Sequence, residues 1–339
     1  MRDNYRAWAI DKNDFYKLGT MAERLKFLIN FAVLAPSSHN SQPWKFAISD
    51  SQITLSPDFS RELPSSDANH RQLYTSLGCA LENLTVAAGH YGFGFITQYF
   101  PNGTDQIVMT FVPGTKSIGE NDLLPYVLKR HTNRNRYDSR LPDRIFLDWL
   151  RDGSSESLKI DVIKDPETKA KIAEVVTRAN VCATQDKIFR SELSQYVKSN
   201  TTSAKLGMPM FGFGMPTLVS FIAPWVVKSF NVNKLSQKED GRLLKEFTPV
   251  LVVISGAKDN KESWVRAGEL YETIALMAEK EGIKTAPMAA VIQIGEFYKE
   301  LQNCSKIEWR PLVFFRLGYS DKITKHSPRL SSGEVIKND

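Results

Sequence analysis

Two short segments of this 339-residue chain gather the residues that could do chemistry. The first reads Ala-Pro-Ser-Ser-His-Asn-Ser-Gln-Pro-Trp from Ala35 to Trp44. Pro36 and Pro43 each fix φ and restrict the residue before them. Between them stand the hydroxyls of Ser37, Ser38 and Ser41, the His39 imidazole and the amides of Asn40 and Gln42. Neutral donors and acceptors on a stiff loop suit a flat heterocycle with carbonyls and ring nitrogens better than a phosphate or a metal. The same residues also suit a helix end that turns into a strand. The second segment is Arg130-His-Thr-Asn-Arg134, continuing Asn135-Arg136-Tyr137-Asp138. Three arginines at i, i+4 and i+6 before a predicted helix could fork onto phosphate oxygens, with N–H groups of the helix start adding to them. Alternatively they form a solvated cluster that pairs with Asp138 and Asp143.

Composition narrows the function classes. The net charge of +6 comes from 44 basic and 38 acidic residues that are interleaved nearly everywhere. That argues against a nucleic-acid stripe and leaves an anionic cofactor as the economical use of positive charge. Cys79, Cys182 and Cys304 lie far apart with no Cys-x-x-Cys, which argues against a disulfide framework or zinc ribbon and fits a reducing cytoplasm. The histidines are scattered without a His-Glu-x-x-His, so no metal is expected. Arg2 and Arg6 share the N-terminal region with Asp3, Asp11 and Asp14, and no apolar stretch follows, so no signal peptide is read. Leu206 to Val227 is free of charge for 22 residues, long enough to cross a bilayer. Its prolines and glycines (Gly207, Pro209, Gly212, Gly214, Pro216, Pro224) speak against a membrane span and for a buried or lid segment. The run Gly207–Pro216 is no dinucleotide fingerprint, because prolines stand where the helix should start.

The elements that position these segments repeat. Thr20-x-x-Glu23 is a capping box, followed by Leu25, Leu28, Ile29 and Ala32 on one helical face. Residues 45–49 and 52–56 read as strands, 68–91 as a long helix with Leu73, Leu77, Leu81, Leu84 and Ala88 inward, and 95–100 and 106–112 as strands. Further on, Pro142 opens a helix, and residues 158–163 and 249–255 read as strands. A helix over 263–281 comes next, then a loop, another helix and a strand over 311–318. The two long helices align without a gap. Gly78-x3-Glu82 ending at Gly92 matches Gly268-x3-Glu272 ending at Gly282, with Ala88 and Ala278 each four residues before the final glycine. Both helices stop at a glycine suited to the left-handed position after a helix end. The repeat is too long for a solenoid and implies two similar halves packed on each other.

The loop from Ala35 to Trp44 resembles the signature of the nitroreductase superfamily of flavoenzymes. Its His-Asn-Ser-Gln-Pro-Trp wording is most similar to the Acg-like branch, in which the chain resembles two nitroreductase subunits fused end to end. The resemblance implies an α+β fold of tandem halves, residues 1–125 and 126–339, forming an internal pseudo-dimer of mainly antiparallel sheets, with a lid over 200–232. It implies FMN against Pro36, Ser37, Ser38, Asn40 and Gln42, with His39 orienting the acceptor or supplying a proton. The Arg segment resembles the one that opens nitroreductase chains. Arg130, Thr132 and Asn133 would then hold the phosphate and ribityl region, and Arg134 would reach the pyrimidine edge. Ala286, Pro287 and Met288 would bring backbone N–H groups to the reactive flavin nitrogen, Lys325 and Arg329 would complete the phosphate clamp, and Phe211 and Phe213 would cover the ring. The first half opens Ile10-Asp-Lys-Asn-Asp-Phe without the arginines, and the second reads Asp152-Gly-Ser-Ser-Glu-Ser without the Pro–Trp loop. Complementary parts imply one flavin site per chain. The implied activity passes reducing equivalents from NAD(P)H to a quinone, nitroaromatic or similar small-molecule acceptor; the alternative is flavin storage with little turnover. A cytoplasmic monomer or homodimer, with no nucleic acid and no membrane span, completes the expectation.

Overall fold

Local signals become elements where the residue types demand it. The Thr20 hydroxyl accepts from the Glu23 N–H while the Glu23 carboxylate accepts from the Thr20 N–H, and helix Met21–Ala32 begins there. Its Leu25, Leu28, Ile29 and Ala32 are fully buried, as neighbours on one helical face should be. The computed structural model describes residues 2–114, 122–322 and 324–337.

In the first half, strands β1 (Trp44–Ser49) and β2 (Gln52–Pro57) form a hairpin closed by Asp50 and Ser51. Helix Arg71–His90 follows, then β3 (Phe93–Tyr99) and β4 (Ile107–Pro113), and the antiparallel sheet is ordered β1-β2-β4-β3. The second half has β5 (Leu158–Ile163), a small parallel pair of β6 (Val197–Lys198) and β7 (Met208–Pro209), and β8 (Val250–Gly256). Helix Lys261–Lys280, β9 (Lys284–Pro287) and β10 (Arg310–Gly318) complete it, and its antiparallel sheet is ordered β5-β8-β10-β9. Counted within each half, the strands take the same order, with the long helix in the same place between the second and third. The fold is α+β, built from tandem halves. The halves differ where β1 and β2 need only a tight turn, because residues 164–249 are inserted between β5 and β8. That insertion carries helices Pro166–Gln185, Lys187–Tyr196 and Val232–Glu246 and the charge-free segment.

Two expectations change. Residues 284–287 do not form a loop but pair with β10 as an edge strand; four residues ending in proline are too few for an alternating pattern to show. The charge-free segment breaks into a 3₁₀ turn, Met210–Phe213, and two short helices, Thr217–Ser220 and Ala223–Ser229. Among the described residues no helix is long and apolar enough to cross a membrane.

The halves are joined where the two long helices cross. A Cβ on Gly78 would lie 1.9 Å from the Val265 carbonyl oxygen, and one on Gly268 would lie 2.0 Å from that of Thr75. Both glycines and both carbonyls are related by one shift of 190 positions, so the contact is a pseudo-two-fold. The same shift relates Gly92 (φ 78°) to Gly282 (φ 71°), which end the two helices. It also relates Glu82 to Glu272, and burial pushes both carboxyls up to about 7. Within this helix pair the symmetry breaks at these carboxyls: among the described residues Glu272 faces an arginine, with Arg130 Nε 2.9 Å from its Oε1, and Glu82 has no ion pair. The C-terminal segment then returns to the first half, where the Leu330 N–H donates to Gln42 Oε1 (2.8 Å) and the Lys337 N–H to the Phe46 carbonyl (2.8 Å).

A side chain at the crossing meets backbone on the other helix, which cannot yield as a rotamer can. Gly268→Val is therefore expected to cost roughly 1–3 kcal/mol or more, read as a lowered urea midpoint. Gly89→Ala, whose Cβ would meet nothing within 4 Å, is expected to hold or gain up to about 1 kcal/mol. Equal midpoints for the two variants would refute the close crossing.

Candidate functional site

The Pro–Trp loop is held in a costly shape. His39, Asn40 and Gln42 have φ of 53°, 57° and 52°, in the left-handed region that costs a non-glycine residue about 1–2 kcal/mol. Hydrogen bonds to distant segments offset this. Asn40 Nδ2 donates to the carbonyls of Gly207 (2.9 Å) and Pro328 (3.0 Å), and Asn40 Oδ1 accepts from Arg329 Nη1 (2.6 Å). Gln42 Nε2 donates to the Lys205 carbonyl (2.8 Å), and the Gln42 N–H donates to Ser37 Oγ (2.9 Å). The two amides expected to face a ring are thus spent on tying the loop to the inserted segment and the C-terminal tail. Pro36, Ser37, Ser38 and His39 remain half-buried along the loop. His39 Nε2 and the neighbouring Gln72 Nε2 are buried without a partner, while Ser38 Oγ lies 3.4 Å from Gln72 Oε1. Burial, and then the nearby Arg134 charge, hold the His39 imidazole down to about 4.

The Arg segment reaches the same place from the second half. Thr132 bridges to Thr285, and the Asn133 N–H donates to the Thr285 carbonyl (3.0 Å). Asn133, fully buried, donates from Nδ2 to the Lys322 carbonyl (2.9 Å) and accepts at Oδ1 from the Asn135 N–H (3.0 Å). Its amide therefore anchors the segment. Arg130 Nη2 and Arg329 Nη2 both donate to the Leu34 carbonyl, at 3.5 and 3.2 Å, just before the loop. Loop, Arg segment and tail, far apart in the chain, meet at that oxygen.

Charge is left over at this meeting point. Two buried guanidiniums, Arg130 and Arg329, face one buried carboxylate, Glu272. Arg130 Nη1 and Arg329 Nε are buried without a hydrogen-bond partner, as are both Glu272 oxygens, His131 Nε2 and His326 Nδ1. Burial and the Arg130 charge hold Arg329 down to about 9. The His326 ring stacks on Trp8 (3.9 Å between centroids) and meets His131 edge-on at 5.8 Å. Burial, His131 and the two arginines hold it down to about 3. Unpartnered buried donors beside uncompensated positive charge are costly unless an anion satisfies them. Lys325, expected beside Arg329, is exposed.

Arg134 stands at the other end of the loop. It has no carboxylate partner among the described residues, burial holds it down to about 10, and its guanidinium lies over the Phe213 ring at 4.5 Å. Phe211, in the same 3₁₀ turn, is half-buried. The stretch Ala286-Pro287-Met288 offers less than expected. Met288 donates its N–H to the Phe314 carbonyl (2.9 Å), Pro287 has none, and Ala286 sits in the ladder opposite Arg316. Sequence reasoning passed over Trp8, Leu34, Gln72, His131, Glu272 and His326 as site residues. Glu272 was marked only as part of the repeat, and His326 lay inside a run noticed for its cations. Trp8 sits in a 3₁₀ turn, Asp3–Trp8, with no periodicity to expose it.

No family model matches the chain. It is 25% identical to an uncharacterised protein of Mycobacterium tuberculosis, over 87% of this chain and 86% of the relative. A second M. tuberculosis protein, provisionally named NAD(P)H nitroreductase acg, is 24% identical over 80% of this chain and 81% of its own length. NAD(P)H nitroreductase PigM of Serratia sp., also a provisional name, is 22% identical over 94% of both. Among solved structures, the FMN and NADPH-dependent nitroreductase NfnB of a Sphingopyxis strain is 13% identical with a TM-score of 0.44, covering 64% of this chain and 98% of that one. A nitroreductase with bound FMN from Desulfitobacterium hafniense is 15% identical with a TM-score of 0.40, covering 65% and 100%. The resemblance carried by the loop and the Arg segment thus extends over most of the sequence, and the chain is similar to the Acg-like branch of the nitroreductase superfamily.

Proposed function

We propose that the protein binds FMN between its halves and acts as an NAD(P)H-dependent flavin oxidoreductase. The observation that carries this reading is the pair of unpartnered buried donors, Arg130 Nη1 and Arg329 Nε, beside an uncompensated positive charge. A phosphate fits that deficit. His131 and His326 have donor or acceptor capacity to spare beside it, and Thr132 lies on the same segment. Ser38 and His39 have capacity left for a ring, and Arg134 for its pyrimidine edge. Asn40, Gln42 and Asn133 hold the frame. Halves bounded at 1–125 and 126–339 would each contribute a complementary part, giving one FMN per chain.

Bound FMN would supply the redox chemistry, taking a hydride from the nicotinamide and passing reducing equivalents to a quinone, nitroaromatic or similar acceptor. Neutral His39 would orient that acceptor by hydrogen bonding. The provisional names of the relatives support NAD(P)H as donor. A second reading, flavin storage, is favoured by the inserted segment, since Gly207 is hydrogen-bonded to Asn40 and Phe213 covers Arg134. Bleaching of the flavin's visible absorbance by NAD(P)H would support the enzyme; a flavin that stays oxidised would support storage.

FMN fluorescence should be quenched on titration with protein and saturate at one per chain. Arg134→Ala, which breaks no ion pair, is expected to weaken binding about 10- to 100-fold, the loss of one charged partner. Arg130→Ala alone would strand the Glu272 carboxyl, so it belongs in a Glu272→Gln background, where binding should be abolished at micromolar FMN. Protein that takes up no FMN would overturn the proposal.

The site also sets a pH dependence. Imidazoles titrate near 6.5 when unfolded, while His39 and His326 are held near 4 and near 3 in the fold. The unfolded chain thus binds more protons at these two rings, so their contribution to apo-protein stability is full above about 6.5 and falls as pH drops towards 3, while the raised carboxyls of Glu82, Glu269 and Glu272 contribute in the opposite sense. A phosphate beside His326 would raise its folded-state pKa. Saturating FMN is therefore expected to raise the melting temperature more at pH 5 than at pH 7, and His326→Gln is expected to raise the apo-protein's melting temperature at pH 5 relative to that at pH 7, each compared with the parent apo-protein.

A further inference from the structure

The inserted segment presents an apolar surface that the fold does not use. Leu218 is 85% exposed, Phe221 57%, Ile222 55%, Trp225 62%, Phe230 49% and Leu235 79%. These side chains fall within one short stretch, and the Trp225 and Phe230 rings meet at 5.6 Å. So concentrated an exposed apolar patch, on a chain whose cores are otherwise covered, marks an interaction site.

Charge identifies the partner. From Leu193 to Lys238 the chain has no aspartate or glutamate and five lysines: Lys198, Lys205, Lys228, Lys234 and Lys238. Lys205 is paired with Asp3 and Glu334. Lys228, Lys234 and Lys238 are exposed and enter no ion pair among the described residues. The nearest carboxylates are already engaged: Glu192 accepts from the N–H groups of Ser65 and Ser66, Glu239 pairs with Arg136, and Asp240 accepts from Ser236. A second copy meeting this face across a two-fold would bring the same lysines towards one another. Anionic lipid headgroups would instead neutralise them while the acyl boundary takes up the apolar side chains. Tryptophan and phenylalanine flanked by lysine are the side chains that settle at that boundary. The two short helices, Thr217–Ser220 and Ala223–Ser229, can lie in the headgroup layer but cannot cross it.

We propose that residues 213–235 form a docking surface for an anionic lipid bilayer. The proposal is independent of the redox reading, because a flavin store could dock in the same way. Phe213 begins this surface and also covers Arg134, so the lipid-facing segment and the candidate site share one piece of chain.

The test is co-sedimentation of the full chain with phosphatidylcholine vesicles, with and without phosphatidylglycerol. Binding is expected only to the anionic vesicles, weakening about tenfold or more when salt is raised from 0.1 to 0.5 M. Trp225 emission should shift to the blue on the anionic vesicles, and the shift should vanish in Trp225→Phe. The variant Leu218→Ser/Phe221→Ser/Trp225→Ser changes exposed positions, so it should keep its melting temperature and lose at least nine-tenths of the bound fraction. Absence of binding to anionic vesicles would overturn the proposal, as would binding to both vesicle types that salt does not alter. A chain of twice the expected mass by light scattering, halved by the triple variant and indifferent to vesicles, would assign the surface to a second copy instead.

Discussion

Everything in this fold hangs on two backbones touching. Gly78 and Gly268 let the long helices approach until carbonyl oxygens occupy the space where a Cβ would stand. That contact is where the two long helices, one from each sheet's half, pack most closely. It also places Glu272, mid-way along helix Lys261–Lys280, against Arg130, which donates to the Leu34 carbonyl just before the Pro–Trp loop. The loop precedes one long helix and Arg130 faces the other, so the proposed site draws on both sides of the crossing. A pseudo-symmetric frame with a single asymmetric charge, Arg130 on Glu272 but no counterpart on Glu82, is the result.

The site's electrostatics follow from the same geometry. Two cations converge on one carbonyl, Leu34, with the imidazole of His326 close to both, and Glu272 is the carboxylate they face. Such groups are satisfied by an anion or by ordered water, or are left unmet at a cost borne elsewhere in the fold. The depressed titration of His39 and His326 expresses that cost in protons.

Much of this could be read in the sequence, and the misses have physical causes. Strand Leu158–Ile163, the capping box and the matching helices were visible because periodicity and caps are local. The convergence of Arg130 and Arg329 was legible only as two separate basic runs. Asn40, Gln42 and Asn133 were read as ligand-facing because their side chains can bond to a ring. Nothing local reveals that their hydrogen bonds are already taken, six of them by residues more than 160 positions away. β9 was taken for a loop because four residues carry no pattern, and the Met288 N–H was misjudged for the same reason.

The strained loop has a mechanical consequence. Asn40 and Gln42 clamp the root of the inserted segment at Lys205 and Gly207, and the same two side chains clamp the tail at Pro328 and Leu330. Loosening that root would free both amides and let three left-handed residues relax, taking the floor of the site with it. A change of shape that keeps these bonds is therefore confined to the far side of Gly207, where Gly214 already turns the chain at φ 72°. Phe213, which lies over Arg134, stands on that far side, so the stretch that carries the exposed apolar face also carries the ring over the candidate site.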